Sequence, residues 1–265
     1  MEPKNSNDKF IIWVGAATDP SGYGEVTRNY LYGLDSIGDL PVKLLNRSFW
    51  KGEKIDLDNR LDMIERLSKV KTPPTGENII TVFNLTPENY FIQPDIRTFI
   101  GMTTFETDGL PDHWLMPMRA MDHIITYTEF NKQTFMNAGI NRPIHVIPHG
   151  IDTDLFNPDV KPLESLASSI DGRFAFGSNF DWSERKNPKA LLNAYYKAFS
   201  KKDNVVLVLK VYHQYPISKS VATIRKNVAE IKKEFDSSRH SDDFPPILLL
   251  TSMISTVDMS SFYAS

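Results

Sequence analysis

The sequence predicts an α/β fold built from two doubly wound, mostly parallel-sheet units, the second incomplete. Three observations carry this expectation. Short apolar runs alternate with amphipathic stretches along the whole chain. The first run, FIIWVGA, leads into a glycine turn and then a helical pattern, the opening unit of a doubly wound fold. The alternation then restarts after Pro158, which gives expected domains at residues 1–160 and 161–265. The cleft of such a protein is expected between the two units, joined near residues 150–165.

Each element has its own signal. Phe10–Ala16 is a fully apolar strand. Ser21–Gly24 is a turn, and Val26, Tyr30 and Leu34 recur every four residues, so a helix follows. Pro41–Asn46 is a second strand. Residues 55–70 form a helix with Leu61, Ile64 and Leu67 on one face. Asn78–Leu85 and Arg97–Glu106 are strands, Pro111–Met121 is a helix and Asp122–Thr128 a strand. Thr128 caps a helix running to Ala138, with Gly139 in the C′ position. Pro143–Pro148 closes the first unit. The second opens with the strand Arg173–Phe180 and a helix to Phe199 that Asn187 caps and Pro188 starts. Val205–His213 follows, then a helix with Ile224, Val228, Ile231 and Phe235 on one face, then Pro246–Ile254 and the start of a last helix at Asp258.

Composition narrows the functional classes. The 265 residues carry a formal charge of −3, with no excess that would draw nucleic acid. There is no cysteine, so disulfides, thiolate metal sites and thiol nucleophiles are excluded. The polar start MEPKNSNDKF has no secretory pattern, and no apolar run reaches the roughly 20 residues of a membrane span. The expected location is the cytoplasm, with peripheral contact to a membrane as an option.

Four stretches, in this order, carry a family resemblance: SGYGEVTRNYLYGL, TTFETDGLPDHW with DHIITYTEFNKQTFMNAGI, IPHGIDTDLFNP, and FGSNFDWSERKNPKALLNAYYKAF. Together they resemble the retaining family 4 glycosyltransferases of the GT-B fold, over nearly the whole chain. The resemblance implies transfer of a sugar from a nucleotide-diphosphate donor to a hydroxyl of a carbohydrate, lipid or other acceptor, with retention and without metal or cofactor. The family's C-terminal domain continues into a loop with two glutamates, and this sequence stops at Ser265, where that region would begin. The chain alone is therefore expected to be a poor transferase. An open edge beside PILLLTSMI is expected to favour self-association.

The site residues follow. Ser21, Gly22, Tyr23 and Gly24 form a glycine loop opening a helix, which either approaches an anion or simply makes a tight turn. Arg185 and Lys186 stand after a strand and before a helix. They are suited to the charge that grows on a leaving diphosphate. Glu106, Thr107 and Asp108 end a predicted strand, where open α/β sheets bind ligands; the acids serve the acceptor or the reacting carbon, or cap the next helix. His149 reaches the cleft or is structural. Lys210 is a second phosphate-side candidate or a strand-end lysine in water. Met253 and Ile254 lie where the family meets the nucleotide base, with Met253 in a place often held by glycine. Asp152-Thr153-Asp154 is read as a connector turn, with Asp152 tying it and Phe156 packing under it, rather than a metal-binding pair. The alternatives to a transferase are a non-catalytic sugar- or nucleotide-binding module and a Rossmann oxidoreductase. Against the oxidoreductase stand Thr27 at the third glycine position and Asn46, not an acid, at the end of the second strand.

Overall fold

The computed structural model describes residues 9–50, 57, 60–72, 78–94, 96, 98–212, 217–235 and 243–265. The chain parts into two compact units between Asp152 and Thr153, inside IPHGIDTDLFNP.

The first unit runs β1 (Phe10–Gly15), α1 (Gly22–Ile37), β2 (Val42–Asn46), α2 (Arg60–Ser68), β3 (Ile79–Asn84), β4 (Thr98–Met102), α3 (Asp112–Arg119), β5 (His123–Thr126), α4 (Glu129–Asn137) and β6 (Ile144–Val146). Its six strands are parallel, in the order β2-β1-β3-β4-β5-β6. The order reverses at β1, so the carboxyl ends of β1 and β3 flank a topological switch point. All six residues of β1 are buried, as a strand covered on both faces must be. Phe10, Ile12 and Val14 pack with Phe83, Phe99, Trp114, Met118 and Phe135.

Close packing at the start of α1 decides which of its faces is inside. A Cβ on Gly15 would stand 2.6 Å from Thr27 Oγ1, and one on Gly24 only 2.1 Å from the Asp19 carbonyl oxygen. The buried face is consequently Gly24, Thr27, Arg28 and Leu31, and the expected Val26, Tyr30 and Leu34 are only half-buried. In α2 the inward residues are Arg60, Met63, Ile64 and Leu67, an i, i+3, i+4, i+7 stripe. Leu61 lies one position off that stripe and is 45% exposed, against expectation. The expected start of this helix at 55–59 falls on described residues only at Leu57. The expected strand end at Arg97 is also outside the described residues.

The second unit runs α5 (Glu164–Ile170), β7 (Phe174–Asp181), α6 (Pro188–Ala198), β8 (Val205–Tyr212), α7 (Ile217–Phe235), β9 (Ile247–Leu250) and α8 (Thr256–Tyr263). Its parallel sheet has the order β7-β8-β9. Successive residues of β8 serve opposite faces. Leu207, Leu209 and Val211 pack with Leu192, Tyr196, Ile224 and Ile231, while Val206 and Val208 pack with Leu166, Ile170 and Phe262.

Thr128 and Asn187 cap α4 and α6 as expected, accepting from the amides of Asn131 and Ala190. Gly139 takes its positive φ of 80°. α5 was not foreseen, because KPLESLASSI offers a thin apolar stripe and three serines of low helix propensity. Two strands end earlier than expected. β4 stops at Met102, after which Phe105 turns onto Trp114, ring centroids 4.8 Å apart. β9 stops at Leu250, whose ladder partner is Lys210. The short last helix has tertiary support: Ser255 caps it, Phe262 is buried, and the Leu163 amide donates to Ser261 O and Ser265 Oγ. The expected strand end at His213 lies outside the described residues.

Candidate functional site

In the first unit the carboxyl ends of the strands carry a connected polar cluster. Asn84 is the last residue of β3 and is fully buried. Its Oδ1 accepts from Thr27 Oγ1 at 2.9 Å, and its Nδ2 donates to the Tyr127 hydroxyl at 2.9 Å. Tyr127 follows β5 and lies against the His149 ring, centroids 3.7 Å apart. Tyr23, in the first turn of α1, shares a 2.9 Å hydrogen bond with Thr103, the residue after β4. Tyr90 completes the group, lying over Gly101, where a Cβ would stand 2.6 Å from its ring.

Burial sets the protonation of this edge. It raises the pKa of Tyr23, with Glu106 and Glu88 adding a smaller push, and raises those of Tyr90 and Tyr127 further. Burial lowers that of His149. The edge is thus lined by neutral phenols and a neutral imidazole at pH 7, groups that hydrogen-bond without carrying charge.

The loop from β1 to α1 is fixed by a buried arginine. Arg28 Nη1 donates to Ala17 O at 2.7 Å and Asp19 O at 2.8 Å, and Nη2 meets Glu25 at 2.7 Å. Asp19 in turn accepts from Ser48 Oγ and from the Phe49 amide at 3.0 Å. Ser21 accepts from the Gly24 amide and caps α1. Gly24 is thus accounted for by close packing, whereas Gly22 is exposed with open space around it.

The structure joins Tyr23 to Thr103 and places His149 beside Tyr127. Glu106, Thr107 and Asp108 are exposed in the bend after β4 rather than at the strand's own end, and Thr107 donates to Gly109 O. Asp152 sits 3.9 Å from Arg60, which supports its reading as a tie on the connector. Phe156 packs near Tyr263 in the second unit, ring centroids 6.3 Å apart.

The carboxyl edge of the second sheet is different. Arg185 and Lys186 are exposed in a single 3₁₀ turn, Glu184–Lys186, immediately before the Asn187 cap of α6. Lys210 is 4% exposed, two residues before the end of β8 and in register with Asn179. It is not the solvated strand-end lysine that was one of the two sequence alternatives. Its ammonium lies 5.7 Å from the Tyr212 ring centroid, and among the described residues it has no ion-pair partner. Burial lowers its pKa. Met253 and Ile254 are in the loop beyond β9, and Ile254 packs on the core formed by Phe262 and Val208. No group of three or more metal-ligating side chains stands together among the described residues. No helix there is long and apolar enough to cross a membrane.

No family model and no curated protein matches the chain. Solved structures do. An α,α-trehalose-phosphate synthase (UDP-forming) from Burkholderia vietnamiensis matches with a TM-score of 0.61 at 10% identity, over 97% of this chain and 76% of that one. An E. coli trehalose-6-phosphate structure bound with UDP-2-fluoro glucose matches with a TM-score of 0.57 at 13% identity, over 95% and 76%. HepE of Anabaena, in complex with UDP and glucose, matches with a TM-score of 0.56 at 12% identity, over 96% and 71%. At such identities the likeness is one of fold. The α/β class with Rossmann-like, GT-B-like units is therefore what the chain has.

The sequence reading missed Thr27, Asn84, Tyr90, Thr103 and Tyr127. A signal existed for three of them: Asn84, Thr103 and Tyr127 each end or directly follow an apolar strand, the position where open parallel sheets place ligands.

Proposed function

We propose that the chain is the core of a glycosyltransferase that takes its sugar from a nucleotide-diphosphate donor. The observation that carries this reading is Lys210, a buried cation with no carboxylate paired to it among the described residues, at the carboxyl edge of a Rossmann-like sheet. A buried charge without a counter-charge is costly, and a diphosphate would supply one. Arg185 and Lys186, on the loop leaving the neighbouring strand, add exposed cations of the kind that stabilise a departing diphosphate. The fold shared with proteins solved with UDP and glucose, or with a UDP-sugar, supports the same donor class.

In this mechanism the bond from the anomeric carbon to the diphosphate oxygen breaks, and the electron pair leaves with the nucleoside diphosphate. Arg185, Lys186 and Lys210 hold the charge that develops there. The acceptor hydroxyl attacks the same face and passes its proton to the departing phosphate oxygen, giving retention, with no resident metal or cofactor required. Asn84 and Thr103, both fully buried, hold the phenols of Tyr127 and Tyr23 in place, and the exposed Glu106 in the bend after β4 offers an acceptor of hydrogen bonds to a sugar. Nucleic acid is not a partner in this reading.

The test is a thermal-shift and calorimetric panel of UDP-, GDP- and ADP-sugars against the matching nucleosides, followed by turnover assays. One diphosphate series should raise the Tm while its nucleoside does not. Equal response to nucleoside and diphosphate would remove the assigned role of the three cations. Diphosphate binding without turnover would leave a binding module.

A further inference from the structure

We propose that His123 and His145 form a binding site for a divalent transition-metal ion, apart from the chemistry described above. The two residues are 22 positions apart in the sequence, with no ligand-like spacing. The parallel pairing of β5 with β6, in which Ile124 faces Ile144 and Ile125 faces His145, brings them side by side. His123 Nδ1 lies 3.2 Å from His145 Nε2, with the ring centroids 5.3 Å apart.

That separation is the bite of a tetrahedral ion. Two imidazole nitrogens bound at about 2.05 Å with a tetrahedral angle stand about 3.3 Å apart. Insertion of an ion requires the rings to turn their lone pairs toward one point, with no movement of the strands. Without an ion, the contact is attractive only while one of the two nitrogens carries a proton; the ion takes the place of that proton. Imidazole suits zinc, copper and nickel, and disfavours magnesium and calcium.

The surroundings suit an exchangeable ion. The pair lines a surface depression with Glu129 and Lys132 of α4 and with Ile100, Ile125 and Ile144. His145 is exposed, so an ion has direct access. Because no third protein ligand joins the pair among the described residues, water completes the coordination. His123 is the first residue of β5, whereas Tyr127 follows its last, so the ion would not sit among the polar groups at the carboxyl edge. It would cross-link the three-residue edge strand β6 to β5, just before the connector, and stabilise the folded chain by mass action.

Calorimetry and thermal shift with ZnCl₂ and with NiCl₂ test this on the whole chain. The expected result is one ion per chain, bound more tightly than about 1 mM. Both His123→Ala and His145→Ala should weaken binding at least tenfold, and His113→Ala, at an exposed position of α3, should leave it unchanged. Because His145 lies at an exposed edge, His145→Ala keeps the test available even if His123→Ala fails to fold. Unchanged affinity in the double variant, no binding up to millimolar metal, or one ion per two chains would each overturn the proposal.

Discussion

The two sheets end in opposite electrical characters. At the carboxyl edge of the first, Thr27, Asn84 and Tyr127 satisfy one another, and Tyr23 satisfies Thr103; every group named is neutral. At the same edge of the second, Lys210 is buried without an ion-pair partner among the described residues, and Arg185 and Lys186 stand exposed in the next loop. Similar architecture thus supports one edge whose polar groups largely satisfy one another, the buried Tyr90 hydroxyl excepted, and one whose buried cation meets no anion among the described residues. A satisfied polar network stabilises the fold and orients a neutral ligand. An uncompensated cation destabilises the fold and favours whatever brings negative charge.

The largest expected effect concerns how tightly each unit is built. Gly24→Val should cost the first unit about 3 kcal/mol or more, because its Cβ would stand 2.1 Å from the Asp19 carbonyl oxygen and the Val would add further bulk. In the second unit a Cβ on Gly177 meets nothing nearer than Phe262 at 3.8 Å, so the smaller change Gly177→Ala should be near neutral. Denaturation of both variants checks the pair; equal losses would break the contrast.

Next comes the network itself. Asn84→Leu leaves Thr27 and Tyr127 without their partner and should cost roughly 2–3 kcal/mol, since buried groups lose their hydrogen bonds. Lys210→Met removes a buried charge and should raise the Tm, in the range of ~2–4 °C for each kcal/mol gained. Opposite signs in a melting experiment would sharpen the comparison. A fall in Tm for Lys210→Met would show that the lysine is compensated.

Removing both Arg185 and Lys186 should leave the Tm within about 1 °C, because both are exposed. Nucleoside-diphosphate affinity should fall roughly a hundredfold or more, each of the two charge-assisted contacts being worth about 1.5–3 kcal/mol. Calorimetry with diphosphate and nucleoside separates the two effects.

The smallest expected effect is on pH. Burial holds the folded pKa of Lys210 below its ordinary value of 10.5. The unfolded chain therefore keeps this proton at pH values where the folded chain has lost it. Stability should rise with pH from the folded value up to the ordinary one, and be lost as pH falls through the folded value. In Lys210→Met that increment should vanish. An identical alkaline profile for both proteins would exclude the lysine as its source.

Much of the fold was legible because the strands are apolar on both faces and the caps are chemically specific. Thr128, Gly139 and Asn187 each announce a helix end through one side chain or one backbone conformation. α1 was placed correctly but with the wrong residues inward, and in α2 Ile64 and Leu67 are inward as expected while Leu61 is not. The periodicity of large apolar side chains does not report a face chosen for closeness, such as Gly24 with Thr27 over Gly15. The cations at 185, 186 and 210 were visible as charge at strand ends, yet the burial of Lys210 was not, since it follows from α5 and α8 covering that face of β8. The neutral half of the site and the histidine pair were hidden because both depend on register between strands far apart in the chain.

One contact has a consequence for synthesis. Leu166 and Ile170 of α5 bury their side chains with Phe262 of α8, and the Leu163 amide bonds to Ser261. The beginning of the second unit therefore waits on residues made roughly a hundred positions later, an interval of about 5–20 s at ordinary translation rates. The first unit closes on contacts that are in place once Asp152 has left the ribosome. During the gap the apolar stripe of α5 has at most Val206 and Val208 of β8 for cover, which makes this nascent stretch the point where a chaperone that recognises short apolar segments would engage the emerging chain.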